Sequence, residues 1–193
     1  MSILKQKLQE KIEIWRPRTQ KLMNEYADVE VDKVTIGQVI GGMRGLKSLV
    51  TDISYLDPHE GIRYRGYTLP ELFKKLPKPE GAEMPFVEGV YYLLLTGDIP
   101  TDKEVSDVAD EFARRRILPR YVYEVIDALP CCSHPMAIFS TAILTMHRES
   151  FFFKKYHGGI PKTDYWDPMY EDSLNLLAKL PEIASYIYAK LYR

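Results

Sequence analysis

Helix punctuation most constrains what this chain can become. Thr68-Leu-Pro-Glu71 and Thr101-Asp-Lys-Glu104 each set a carboxylate three residues after a hydroxyl, the reciprocal pair that satisfies the open N–H groups of a helix start. Pro70 sits near the first helical position, where a missing N–H costs nothing. Pro77 stops that helix at about Leu76. Phe86–Thr96 is nearly apolar throughout and ends at Gly97, a favourable left-handed cap, which predicts a buried helix. Behind Thr101, the residues Val105, Val108, Ala109 and Phe112 share one helical face, and Arg114-Arg115-Arg116 close it at its negative end. Ile3, Leu4, Leu8, Ile12 and Trp15 recur at three- and four-residue spacing behind Ser2, giving an amphipathic opening helix that Pro17 is expected to end or kink. Further prolines bound helices over Pro119–Leu129 and Pro135–Glu149, and Tyr165–Tyr192 reads as one long helix bent at Pro181.

The fold class expected is therefore all-α, with one exception near residues 47–67. There Leu49-Val50, Ile53 and Ile62-Arg-Tyr-Arg-Gly-Tyr67 flank Leu56-Asp-Pro-His-Glu-Gly61, a composition of turns and short strands. A small antiparallel β ribbon on a helical body follows, with no internal repeat or low-complexity linker.

Charge narrows the function classes. With 26 basic and 27 acidic residues the net charge is -1, so neither nucleic acid nor an anionic membrane is an expected partner. The arginine run at 114–116 follows Asp107, Asp110 and Glu111 and reads as a solvated helix face. No apolar run approaches the roughly 18 residues of a membrane span. The amino terminus carries Glu10 and Glu13 and lacks both a secretory apolar core and transit-peptide character, so the chain reads as cytoplasmic or already processed. Cys131 and Cys132 are adjacent, which makes a mutual disulfide strained and suits a reducing compartment.

Candidate chemistry is sparse. Cys131, Cys132 and His134 are zinc-type ligands, but a closed site needs four and no second cluster exists, so no metal is expected and His134 reads as a helix-boundary residue. A cysteine nucleophile with His134 as base lacks a third group to orient it. The acid pairs Asp107/Glu111 and Glu171/Asp172 read as solvent-facing. Ile40-Gly-Gly-Met-Arg-Gly-Leu-Lys47 carries more: its glycines allow close backbone approach, and Arg44 with Lys47 supplies charge suited to a phosphate or carboxylate. The structural alternative is that Arg44 ties the loop to an acidic neighbour.

Gly41-Gly-Met-Arg-Gly-Leu-Lys47, followed by Leu56-Asp-Pro-His-Glu-Gly-Ile-Arg-Tyr-Arg-Gly-Tyr67 and Pro70-Glu71, resembles the signature region of mitochondrial-type citrate synthases. The likeness continues through Pro85-Phe-Val-Glu-Gly89, Leu94-Leu-Thr-Gly97, His134-Pro-Met136, Thr163-Asp-Tyr-Trp166, Tyr170-Glu-Asp172 and Ala178-Lys-Leu-Pro181, covering about Ile36 to Arg193. The resemblance implies an amino-terminal portion of that enzyme. Residues 1–35 would form an amino-terminal helical segment and 36–193 part of the large helical domain, the small domain being absent. The family condenses acetyl-CoA with oxaloacetate and water to give citrate and CoA, as a homodimer and without a metal or a cofactor, acetyl-CoA being a substrate. Its catalytic Asp and two His belong to segments beyond position 193 in the usual order. No catalytic residue is therefore expected here, and His134, His147 and His157 receive no such role. Two positions carry over: Arg44 matches an arginine near the CoA phosphates, and Lys162 stands where relatives carry an arginine that contacts CoA from the neighbouring subunit. Lysine offers a point charge there instead of a bidentate fork. The implied location is cytoplasmic, or the mitochondrial matrix in a eukaryote. The alternatives are a non-catalytic helical partner, one component of a split enzyme, or part of a methylcitrate synthase. As a portion of a larger fold the chain is expected to expose apolar stripes and to associate.

Overall fold

A computed structural model describes residues 2–46 and 50–193. Lys47, Ser48 and Leu49, at the start of the expected ribbon region, lie outside the described residues. The chain divides into two compact units, Met1–Val108 and Ala109–Arg193.

In the first unit, α1 (Ile3–Tyr26) starts as Ser2 predicts, its hydroxyl accepting the Lys5 N–H at 3.3 Å. Asp107 takes the Ile3 N–H at 2.8 Å. Leu4 is buried, and Lys11 pairs with Asp98 at 2.8 Å. Of the two outcomes expected at Pro17, an end or a kink, the end is excluded, because the helix continues through it to Tyr26. From Glu13 onward the helix is exposed, so the carbonyl that proline leaves without a donor stays in water, where it costs little. A short α2 (Ile36–Ile40) follows.

The ribbon forms as read, from β1 (Ser54–Asp57), β2 (Gly61–Tyr64) and β3 (Tyr67–Thr68), antiparallel in that order. Tyr55 faces Arg63 and Tyr64 faces Tyr67. Arg65 and Gly66, at φ 49° and 85°, turn the chain between the last two strands, the left-handed pair a tight hairpin needs. Thr68 and Glu71 complete the expected capping box of α3 (Leu69–Lys75), and α4 (Val87–Thr96) ends on left-handed Gly97. Leu72, Leu76 and Leu93 bury together beneath Tyr64 and Tyr67, joining ribbon, α3 and α4. Arg65 locks that junction. Its guanidinium donates to Leu94 O at 3.0 and 2.6 Å, at the negative end of α4, and pairs with Asp52 at 2.9 Å. The second capping box is also made, by Thr101 and Glu104 at the start of α5 (Asp102–Arg115), the helix in which the division between units falls.

The second unit holds α6 (Arg120–Ala128), α7 (Pro135–Thr145) with a 3-10 turn Met146–Glu149, α8 (Phe151–His157), a 3-10 turn Lys162–Asp164, and α9 (Trp166–Tyr192). Val122 and Ile126 from α6, Ile138 and Ala142 from α7, and Ile183 and Ile187 from α9 form its core. Along α9 the buried positions run Tyr170, Leu174, Ala178 and then, past Pro181, Ile183 and Ile187. Leu174 and Ile183 are about two and a half turns apart, so the two halves of α9 bury opposite faces. The later face meets α6 and α7.

Three readings of charge are corrected. Arg115 is not a solvated end of its helix but 21% exposed, held by Glu111 at 2.9 Å, Glu171 at 2.7 Å and Asn175 at 3.1 Å. Glu111, read as solvent-facing, is 13% exposed and bonds Arg114 and Arg115. Asp107 and Asp172 are likewise committed, Asp107 at the head of α1 and Asp172 at the head of α8. In each case the partner comes from a distant stretch of sequence or a neighbouring helical turn and offsets the desolvation of the carboxylate. Among the described residues no helix is long and apolar enough to cross a membrane.

Candidate functional site

The first candidate position lies just after α2. Thr35 and Gln38 form a capping box: the Thr35 hydroxyl accepts the Gln38 N–H at 3.2 Å and the Gln38 amide oxygen accepts the Thr35 N–H at 3.0 Å. Gln38 then reaches forward, its amide nitrogen donating to Arg44 O at 3.3 Å. Gly42, Met43 and Gly45 have φ of 80°, 60° and 75°. Glycine is needed at 42 and 45 for this left-handed path and not for room, since a Cβ there would meet nothing within 4 Å. Arg44 rides on the outside of this turn, exposed. Among the described residues no acidic side chain pairs with it, so backbone and Gln38 hold the loop and the guanidinium is left for something else.

The second position follows α8. Ile160 N–H donates to Lys155 O at 3.3 Å and Gly159 N–H to Tyr156 O at 3.0 Å, with Gly159 at φ 78°, a Schellman ending. Lys155 pairs with Asp167 at 2.7 Å across the turn. Lys162 opens the 3-10 turn Lys162–Asp164 and is exposed, its ammonium making no bond to a described residue. Arg44 and Lys162 fall in different units, and each is a single exposed cation on a turn fixed by main-chain bonds. Such a position can meet a phosphate oxygen, and arginine can meet two.

Three of the four histidines make described side-chain contacts. His134 caps α7, its Nδ1 accepting the Met136 N–H at 3.2 Å. His147 and His157 both pack edge-on against Phe153, with ring centroids 4.4 Å away. His59 gives its main-chain N–H to Asp57 at 2.8 Å. Among the described residues no three His, Cys, Asp or Glu side chains gather as metal ligands.

A pocket in the second unit has no signature in the sequence. Its volume is about 160 Å³, and it is lined by Ile143, Met146 and Leu176 together with His147, Asn175 and Lys179. Burial, and then the Arg115 charge, hold the Lys179 amine below the usual lysine range, while Glu149 pulls the other way. Tyr121 gives its hydroxyl to Glu149 at 3.0 Å, and burial with that bond pushes its phenol up to about 12. No residue spacing betrays this pocket, because α7 and α9 meet across a long stretch of chain.

The architecture defines an all-α protein carrying one small ribbon. The family model described as "Citrate synthase, C-terminal domain" matches residues 42–193, and the chain belongs to the citrate synthase family. It is 43% identical to mitochondrial citrate synthase 4 of Arabidopsis thaliana, over 98% of this chain and 40% of that protein. It is 46% identical to the mitochondrial citrate synthase of Kajikia audax, over 91% of this chain and 38% of that protein. The chain thus spans about 40% of the length of these relatives. The crystal structure of citrate synthase from Pyrobaculum aerophilum superposes with a TM-score of 0.64 at 27% identity, over 79% of this chain and 36% of that one. A second likeness, of TM-score 0.61 at 19% identity over 82% of this chain and 37% of that one, is one of fold alone. It is to the Thermoplasma acidophilum citrate synthase in ternary complex with carboxymethyl coenzyme A and oxaloacetate.

Proposed function

We propose that this chain is the CoA-contacting part of a citrate synthase that condenses acetyl-CoA with oxaloacetate and water to give citrate and CoA. The observation that carries the reading is the exposed guanidinium of Arg44, without an acidic partner among the described residues, on a left-handed, main-chain-fixed turn in a chain that belongs to the family. CoA presents phosphates, and a planar fork can take two phosphate oxygens at once. Lys162 meets CoA more weakly as a point charge, from the second subunit of a homodimer. The names of the relatives at 43% and 46% identity, both citrate synthases, support acetyl-CoA and oxaloacetate as the pair of substrates. The proton-moving residues lie outside this chain, which by itself binds but does not turn over. The mitochondrial names of the relatives support the matrix as the working place of a eukaryotic form.

Calorimetric titration of the chain with CoA tests this. Arg44→Ala should remove about 1.5–3 kcal/mol of binding, the range for a charge-assisted hydrogen bond. Lys162→Ala should cost less, Lys162→Arg should tighten binding, and added salt should weaken all of it. Equal binding by wild type and Arg44→Ala, or binding insensitive to salt, would overturn the assignment.

A further inference from the structure

The chain has two cysteines and they are neighbours. Cys131 and Cys132 lie between α6 and α7, and both are free and exposed. Ser133 N–H donates to Pro130 O at 3.0 Å, which makes the pair the two central residues of a β-turn. Joining these sulfurs to each other is unfavourable. Adjacent Cα atoms across a trans peptide are about 3.8 Å apart, whereas disulfide-linked cysteines usually hold theirs about 4.4–6.8 Å apart with sulfurs about 2.05 Å apart. The turn contains no cis peptide that would alter this.

Placing one atom between the sulfurs removes the conflict. Two sulfur bonds of about 2.3 Å, the length found for thiolates on zinc, span roughly 3.8 Å at a tetrahedral angle. His134, two residues beyond Cys132, has its Nδ1 engaged by the Met136 N–H that starts α7. Among the described residues no set of three ligands converges, so the site suits a species satisfied by two sulfurs.

We propose that Cys131 and Cys132 form a bidentate dithiol site for soft thiophilic species that bind two sulfurs, of which monosubstituted trivalent arsenicals are the fitting class. With an organoarsenic(III) oxide, two As–S bonds form while two S–H bonds and the arsenic–oxygen bond break. Both protons leave with the oxygen as one water, and no atom is oxidised or reduced. The site is independent of Arg44, Lys162 and the citrate synthase reading.

Phenylarsine oxide added to the 193-residue chain is the test. Because no other cysteine is present, thiol counting reads this pair alone. One adduct per chain by intact mass is expected, with both thiols lost, reversed by a 1,2-dithiol and not by excess monothiol. Closing the second bond within one molecule strengthens capture, so Cys131→Ser or Cys132→Ser should weaken it by about 10²–10⁴-fold. Both side chains are exposed, so a circular-dichroism melt should be unchanged in either variant. Equal affinity in a single-cysteine variant, removal of the wild-type adduct by monothiol, or no adduct at all overturns the proposal.

Discussion

Replacing Asp172 with alanine should loosen α8 and the turn that carries Lys162. The two carboxylate oxygens of Asp172 accept the Ser150 hydroxyl at 2.6 Å, the Phe151 N–H at 2.7 Å and the Phe152 N–H at 3.0 Å. Two of these are among the N–H groups that a helix start leaves without partners. Losing an N-cap costs about 0.5–2 kcal/mol, and one bond to a charged acceptor is worth about 1.5–3 kcal/mol net. Asp172 is half-buried and Phe151 exposed, so water replaces part of what is lost, and a total near 2 kcal/mol follows. With seven residues, α8 is too short to persist without its cap and packing. Asp172→Asn keeps one acceptor and should cost about half as much. Urea unfolding at constant m gives the free energy, and amide exchange at Phe151, Phe152 and Phe153 gives the location. A loss below about 0.5 kcal/mol, or unchanged exchange at these three amides, would refute the capping argument.

Other consequences can be measured directly. Ile126 is fully buried among α6, α7 and α9, and Ile126→Ala should cost about 2–5 kcal/mol in urea unfolding. Burial of Glu104 acts to raise its pKa, but bonds from the Thr101 N–H, the Tyr92 hydroxyl and the Thr101 hydroxyl outweigh it and leave the carboxyl below its usual 4.5. A depressed carboxyl stabilises the fold above its unfolded pKa and loses that contribution as pH falls through the folded value. Between pH 7 and pH 3 the urea midpoint of wild type should therefore fall more than that of Glu104→Gln. Ile36, Ile40 and Val50 are 80%, 82% and 96% exposed, so sedimentation should show concentration-dependent association, and a clean monomer at high concentration would count against it.

What could be read from sequence was local. The boxes at Thr68 and Thr101 were legible because hydroxyl and carboxylate sit three residues apart and complete their chemistry within one turn. Gly97 was legible for the same reason. Whether Pro17 ends its helix or is carried within it was not legible, because its cost depends on whether the orphaned carbonyl is wet, which only the fold decides. Asp172 and Glu171 looked like solvent-facing acids because the groups that bind them, the head of α8 and Arg115, arrive from 20 or more residues away. The helix α8 went unseen because three consecutive phenylalanines have no helical period and part of the cap lies in α9. At the candidate site, the glycines and charge of 40–47 suggested an anion-binding turn, whereas the lack of an acidic partner for Arg44 among the described residues needed coordinates.

The decisive measurement is the amount of CoA released when the 193-residue chain alone meets acetyl-CoA and oxaloacetate. Chromatographic separation should quantify the product, because the exposed Cys131 and Cys132 would themselves react with a thiol dye. Binding of CoA with no release above background is the result the proposed function predicts, because in that reading the groups that move protons belong to other segments of the enzyme. Steady release of CoA with formation of citrate would contradict it, and would place working acid–base groups among side chains assigned here to helix caps and packing.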